Sequence, residues 1–144
     1  MTWYQDLAPC DYFGPEATDS LRAVGWLAKE QDFPIGRVKL AVFRRLQELL
    51  RDPWQPGTFR GFHDCELCSY EAEGRGWKNL FVPGDGVLYV TPDSILHYMN
   101  AHGYRPPDEF CNAVLACPHM GTQEYRRALV KAGCGKLLKR HVDD

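Results

Sequence analysis

The residues that could do chemistry in this chain are concentrated in one short run, His63-Asp64-Cys65-Glu66-Leu67-Cys68. Two residues separate the two cysteines, which places both sulfurs on one side of a tight turn where a single metal ion can bind them. Downstream, four residues separate His97 from His102. The spacings C-x2-C and H-x4-H are typical of structural Cys2His2 zinc sites. We therefore predict that Cys65, Cys68, His97 and His102 bind Zn²⁺.

His63 is an alternative ligand in this prediction. Residues two apart in a strand project from the same face, so His63 and Cys65 can approach the same ion. His63 could then replace His97 or His102, or hydrogen-bond to a ligand.

The spacing of His97 and His102 poses a geometric problem, because residues five apart on an ideal helix point about 140° from each other. The two downstream histidines converge only if the helix tightens or unwinds at its end, where Gly103 stands.

Other uses of the Cys-x-x-Cys turn fit the sequence less well. The two cysteines could be plain buried thiols, with the two downstream histidines as ordinary polar residues. A redox pair normally opens a helix, whereas the segment Glu73-Gly74-Arg75-Gly76 that follows is a poor helix former. Haem attachment needs a histidine directly after the second cysteine, and Ser69 occupies that position. The nucleobase-deaminase pattern is also missing.

Composition and charge limit the classes of protein to which this chain can belong. Of the 144 residues, 44% are hydrophobic and 12% aromatic, which is enough for a packed core, so we predict one domain over residues 1–144. The formal net charge of −2 gives no general attraction to nucleic acid. No apolar run approaches the ~20 residues of a membrane span, and no signal peptide is visible. We expect a cytoplasmic protein, whose six cysteines are thiols and metal ligands.

The elements that must position the ligands follow from periodicity and turn signals. The apolar stripe over residues 37–51 predicts a helix, and the turn Pro83-Gly84-Asp85-Gly86 predicts a hairpin between strands at 77–82 and 87–91. The remaining predictions are helices over 94–102, 107–116 and 122–133, a strand over 58–63, an irregular strap over 1–19 and a frayed tail over 136–144. For residues 21–27 we favour a strand, although the cap signal Thr18-Asp19-Ser20 is also compatible with the start of a helix. In sum we expect an α+β fold with a small antiparallel sheet and about three helices.

The order of these elements supports the zinc prediction. A Cys-x-x-Cys turn, a β-hairpin and then a helix that carries the other ligands is the order found in a treble-clef zinc unit. We predict that this unit occupies residues 58–103. Because the ligands come from its two ends, the ion would join the turn to the helix.

Three further groups of residues have a functional and a plain interpretation. Glu66 could act as a general base if zinc kept an open position, but a solvated turn residue is the simpler role. A second metal site is conceivable at Cys111, Cys117, His119 and Cys134, although the spacings are irregular. The basic residues between 126 and 140 could contact nucleic acid, or could form a solvated helix face and tail.

Three segments resemble a family of short bacterial proteins of unknown function. They lie at residues 23–27, 60–68 and 97–110, and include the patterns R-G-x-H-x-C-x-x-C and H-x4-H-G-Y-x-P-P-x-E-F. The resemblance extends over about residues 3–130 and implies a free-standing small bacterial protein. It implies no activity, so no catalytic residue can be transferred from it.

We therefore expect a non-enzymatic protein with a structural zinc ion that acts by binding another protein, for example as a regulatory or immunity-type partner. One alternative is a zinc-dependent enzyme with three protein ligands and a water molecule in the fourth place. The other is a nucleic-acid-binding zinc module.

Overall fold

A computed structural model describes residues 3–14, 19–56, 65–68 and 78–133 of the chain. Seven elements follow one another there: β1 (Leu21–Ala23), α1 (Leu40–Leu49), β2 (Asn79–Pro83), β3 (Leu88–Pro92), α2 (Ile95–His102), α3 (Asp108–Ala116) and α4 (Gln123–Lys131). The predicted α+β class is confirmed. The described residues form four helices, and these coincide with the four segments predicted as helices, whereas the summary number was about three.

The three strands form a mixed sheet in the order β1-β3-β2. The predicted hairpin is present: β2 pairs antiparallel with β3, and Pro83 faces Leu88 beside the turn. The pairing of β1 with β3 is parallel, with Leu21 opposite Leu88, so the sheet is not wholly antiparallel as predicted. A tight turn forces two strands to run in opposite directions, whereas the long connection through α1 lets β1 run alongside β3.

β1 is a strand, as predicted, but it ends at Ala23 instead of residue 27. Gly25 adopts a left-handed backbone with φ of +75°, which interrupts the extended conformation. The chain then places Trp26 in the core, fully buried, where its indole N–H donates to the Val90 carbonyl at 3.0 Å. The Trp26 side chain thereby links the end of β1 to the central strand β3.

The helices cover a sheet whose central strand is buried along its whole length. All five residues of β3 are buried. α1 buries Val42, Leu46 and Leu49 and packs against α2 and α3, while α3 and α4 pack against β2. α1 begins at Leu40, three residues later than predicted, because residues 35–36 pair with the segment after α2. Within the described residues, no helix combines the length and the apolar character needed to cross a bilayer.

The irregular residues 3–14 run alongside β1 and fasten it to the segment after α2. Leu7 donates its backbone N–H to the Ala23 carbonyl at 2.7 Å. The Asp6 carboxylate accepts hydrogen bonds from the Gly25 backbone N–H at 3.0 Å and from the Tyr104 hydroxyl at 2.8 and 2.9 Å. The predicted strand over 58–63 and the predicted tail over 136–144 lie outside the described residues, and the predicted domain boundaries stay predictions.

Candidate metal centre

Two cysteines from a turn and two histidines from one helix lie together at one end of the hairpin. Cys68 Sγ is 2.8 Å from His97 Nε2 and 3.3 Å from His102 Nε2, and Cys65 Sγ is 3.4 Å from His102 Nε2. All four donor atoms lie within 4.8 Å of one another. The four residues predicted as ligands are therefore close enough to hold one metal ion.

The size of this cluster can be compared with a tetrahedral zinc site. Zinc–sulfur bonds of about 2.3 Å and zinc–nitrogen bonds of about 2.0 Å give tetrahedron edges of about 3.3 Å between nitrogens and about 3.8 Å between sulfurs, with mixed edges between them. Two of the sulfur–nitrogen distances, 3.3 and 3.4 Å, lie close to these edges. The third, 2.8 Å, is shorter and would open by less than about 1 Å around an ion.

The end of α2 explains how histidines five residues apart can converge. The backbone N–H of Gly103 donates to the Tyr98 carbonyl, and the N–H of Tyr104 donates to the same carbonyl at 3.1 Å. These bonds span five and six residues, so the closing turn is wider than the four-residue turn of an α-helix. Gly103 has a φ of +67°, as expected for a helix end that unwinds. The His97 and His102 rings consequently lie 5.0 Å apart between centroids.

The rest of α2 is anchored on the side away from the ligands. Ile95 and Tyr98 are fully buried, whereas His97 and His102 are half-buried. The junction before the helix is fixed by the backbone N–H of Asp93, which donates to the Lys78 carbonyl at 3.0 Å. The Asp93 carboxylate accepts from the Lys78 backbone N–H at 3.3 Å. Both histidines therefore stand on an element whose position the hairpin and the core determine.

Burial changes the acid–base behaviour of two ligands. It raises the pKa of the Cys65 thiol, an effect that the neighbouring Cys68 reinforces. It also lowers the pKa of the His102 imidazole, with a further contribution from His97. Both shifts favour neutral groups. His102 is then already in the neutral form that binds metals, whereas Cys65 must lose its proton when an ion binds.

Glu66 contributes to the position of the turn. Its side chain is exposed, and a carboxylate oxygen accepts a hydrogen bond from the Lys29 backbone N–H at 3.3 Å. The contact between Lys29 and Glu66 could not be predicted from the sequence, because a backbone N–H donor leaves no signal in the pattern of side chains. His63, the alternative ligand, lies outside the described residues and stays a prediction.

The other candidate residues do not form a second metal cluster within the described part of the chain. Cys117 is buried, which raises its thiol pKa to about 11. His119 instead lies on the surface, where its Nδ1 is 3.3 Å from an Arg45 nitrogen. Cys134 and most of the basic tail lie outside the described residues, whereas Arg126 and Arg127 of α4 are exposed.

Comparison with known proteins identifies a family without an assigned activity. The sequence profile described as "Domain of unknown function (DUF7919)" matches residues 2–115, so the chain belongs to this family. This range includes all four proposed ligands and ends before α4. No curated protein and no solved structure shows a significant match to the chain.

Proposed function

We propose that this is a zinc protein in which Cys65, Cys68, His97 and His102 hold one structural Zn²⁺. The observation that carries the proposal is the donor cluster, whose four atoms lie within 4.8 Å of one another. Two thiolates and two imidazoles suit Zn²⁺, whereas Mg²⁺ and Ca²⁺ prefer oxygen ligands. The ion would join the cysteine turn to α2 across the β2–β3 hairpin, in the manner of a treble-clef unit.

A closed site favours a structural role over a catalytic one. Four protein donors complete a tetrahedral shell, whereas catalytic zinc normally keeps one position for water. Glu66, the carboxylate beside the ligands, is exposed and accepts a hydrogen bond from the Lys29 backbone N–H. A zinc-dependent enzyme would require one of the four donors to remain unbound, so it is the less favoured alternative.

Replacement of the ion by Co²⁺ tests both the site and its closure. We expect the cobalt protein to show the intense visible bands of a tetrahedral site together with thiolate-to-cobalt charge transfer. Zinc should abolish these bands by displacing the cobalt. Azide should leave the spectrum unchanged if four protein donors fill the shell, and should change it if one position is open to solvent.

Matched variants assign the ligands in the same experiment. His97→Ala and His102→Ala should each weaken or alter the cobalt bands, whereas His119→Ala, which changes a surface histidine, should not. Unaltered bands in both His97→Ala and His102→Ala would contradict the proposed ligand set. Weak bands of octahedral type in the wild type would contradict a tetrahedral thiolate site.

We also propose that the protein acts by binding another protein, as a regulatory or immunity-type partner in a bacterial cytoplasm. Two apolar side chains beside α2 support this: Ile35 is 75% exposed and Leu40 is 59% exposed. Leu40 lines a surface groove with Phe43 and Met99. Exposed apolar side chains grouped beside a surface groove are a feature of interaction sites. Thiolate ligands suit the reducing cytoplasm, and the bacterial setting rests on the sequence resemblance alone.

Cross-linking of the full chain in cells tests this second part. A partner that acts through the groove should be lost from the double variant Ile35→Ser with Leu40→Ser. It should be retained by the control Val130→Ser, which changes an apolar residue on α4 that is 54% exposed. Equal capture by both variants would contradict a role for this surface.

A further inference from the structure

A second cavity lies between the start of α1 and α3, and neither the metal centre nor the apolar groove accounts for its chemistry. It is an open surface cavity with a volume of about 370 Å³. Small-molecule sites in proteins commonly occupy roughly 300–1,000 Å³. The volume is therefore that of a site for a compact ligand.

The side chains around this cavity have the opposite charge to the chain as a whole. Arg37, Lys39 and Arg105 line it, against a single carboxylate from Asp108. That carboxylate is 3.0 Å from an Arg105 nitrogen, so it neutralises only one of the three cations. The whole chain has a formal net charge of −2. A concentration of positive charge around one cavity of an acidic protein attracts an anion.

The backbone brings two of these cations together from distant parts of the sequence. Ile35 forms an isolated antiparallel bridge with Tyr104. Hydrogen bonds on either side, from Gly36 N–H to the Gly103 carbonyl at 3.1 Å and from Arg105 N–H to the Pro34 carbonyl at 2.9 Å, fix this pairing. The Arg105 stem packs over Gly36, where a Cβ would lie 3.0 Å from Arg105 Cδ. Arg37 and Arg105 are consequently held at the same cavity.

The start of α1 adds a partial positive charge to the same place. Among the described residues, the N-cap Lys39 makes no capping hydrogen bond with its side chain, and the first turn contains no acidic residue. The first backbone N–H groups of a helix lack partners within the helix, and its dipole is positive at this end. An anion in the cavity could therefore interact with the helix as well as with the arginines.

The rest of the lining is largely apolar, with Asn112 as its one uncharged polar side chain. Val38 and Val42 line the cavity from the α1 side and Leu115 from α3, together with the half-buried Cys111. Leu115 is 43% exposed. A ligand that only carried charge would leave this apolar surface in contact with water.

We propose that this cavity binds a small anionic ligand with an apolar body, whose carboxylate or phosphate group contacts Arg37, Lys39 and Arg105. The apolar part of the ligand packs on Val38 and Leu115. The proposal is independent of the metal centre, because no lining residue is a proposed ligand of the ion. The two head groups can be distinguished, since a phosphate monoester has a second charge that can meet a second cation.

NMR titration of the zinc-loaded protein with four probes that share a hexyl-length chain tests this inference. The probes are hexyl phosphate, hexanoate, hexanol and hexyltrimethylammonium. We expect saturable shifts of the Lys39, Val42 and Cys111 amides with the two anions only, and weaker binding at higher salt. Stronger binding by hexyl phosphate indicates a phosphate ligand, and equal binding indicates a carboxylate. Either result supports the proposal.

Variants of the cationic residues test the location of the site. Arg37→Gln and Arg105→Gln should each weaken anion binding about fivefold to tenfold, the loss expected for one charged contact. Arg44→Gln removes an exposed arginine of α1 that does not line the cavity, and should bind as the wild type does. A similar loss in all three variants would show general charge attraction and would overturn the proposal.

Three other results would also overturn it. The first is binding of hexanol or of the hexyltrimethylammonium cation with the same affinity as the anions. The second is a failure of both anions to saturate the protein at ~10 mM, about tenfold above a weak Kd of 1 mM. Finally, a glutamate-rich peptide could bind where hexyl phosphate does not. That result would assign the cationic surface to a protein partner instead of a small molecule.

Discussion

Cysteine and histidine side chains have little freedom once their donor atoms converge on one point. His102 Nε2 lies within 3.4 Å of both Cys65 and Cys68 sulfurs. Burial favours the neutral thiol of Cys65 and the neutral imidazole of His102, and a cation bound between them would instead favour the Cys65 thiolate. The four donor groups are therefore close enough to hold a metal ion, and two of them have pKa values that such an ion would affect.

The partly buried hydrogen bond between Tyr104 and Asp6 should contribute measurably to stability. The fully buried Tyr104 donates its hydroxyl to the half-buried Asp6 carboxylate, so Tyr104→Phe leaves this carboxylate without one of its donors. We expect a loss of about 1–3 kcal/mol in the free energy of unfolding, measured by urea denaturation. Tyr4→Phe is the control, because the Tyr4 hydroxyl bonds to Asp11 at an exposed position. A smaller loss for Tyr104→Phe than for Tyr4→Phe would contradict this assignment.

Asp6 should also give the folding stability a specific pH dependence. Burial raises the pKa of its carboxyl group above the ordinary value, although hydrogen bonds from Gly25 and Tyr104 oppose the shift. Between the ordinary pKa, about 3.9, and the raised value, the folded state binds more protons than the unfolded state. The free energy of unfolding of the wild type should therefore rise relative to Asp6→Asn as the pH falls through this window. A constant difference between the two proteins would contradict the raised pKa.

The metal-ligand residues could be predicted from the sequence, but the Asp6–Tyr104 pair could not. Cys65 and Cys68, like His97 and His102, are close in the sequence, so their spacing already constrains their geometry. Asp6 and Tyr104 are far apart along the chain, and an aspartate or a tyrosine has many possible partners in a core of this composition. Only the path of residues 3–14 beside β1 brings the two together.

At the scale of the elements, the end of α2 determines whether its two histidines can bind one ion. Gly103 has a φ of +67°, while an added Cβ would meet Ile35 only at an ordinary distance of 3.4 Å. A substitution at Gly103 is therefore destabilising because of the positive φ and not because of a steric clash. We expect Gly103→Ala to lose about 1 kcal/mol of stability and Gly103→Asn to lose less, because asparagine tolerates this backbone region.

The same substitutions should affect the metal site, because Gly103 follows His102 directly. Gly103→Val should weaken zinc binding more than Gly103→Asn does, in a competition titration with a coloured chelator. Gly86→Val is the control, since Gly86 also has a positive φ, of +73°, but lies in the hairpin turn with no atom within 4 Å of an added Cβ. Equal zinc affinity in all three variants would contradict a role for the helix end.

The elements also show where sequence patterns reach their limit. The hairpin was predictable because a Gly-Asp-Gly turn between two apolar runs fixes both strands and their relative direction. The parallel pairing of β1 with β3 was not, because no local signal in Leu21–Ala23 encodes the direction in which a distant strand will pair. Similarly, the start of α1 was placed too early because the pairing of Ile35 with Tyr104 competes with the helix.

For the whole molecule, the proposed ion would add a link between the cysteine turn and α2. Cys65 already belongs to the buried core, and Leu67 and Cys68 pack against it. The largest fully buried side chains, such as Trp26, Tyr98 and Phe81, lie outside the cluster of donor atoms. The core should therefore persist in part when the ion is removed.

Hydrogen–deuterium exchange with and without a chelator tests this division. Removal of zinc should increase exchange at residues 65–68 and at the end of α2, while the amides that pair β1 with β3 stay protected. Structural Zn²⁺ in zinc-finger peptides contributes on the order of 10 kcal/mol of apparent binding energy, much of which is coupled to folding. Uniform loss of protection over the whole chain would instead indicate that the metal supports the entire fold.

The central claim is that Cys65, Cys68, His97 and His102 bind one zinc ion. Elemental mass spectrometry of the purified protein tests it most directly, on the wild type, on Cys65→Ser and on Cys111→Ser as a control with a half-buried thiol outside the cluster. We expect one zinc ion per chain in the wild type and in Cys111→Ser, and none retained in Cys65→Ser. No metal in the freshly purified wild type, or undiminished zinc in Cys65→Ser, would contradict the claim.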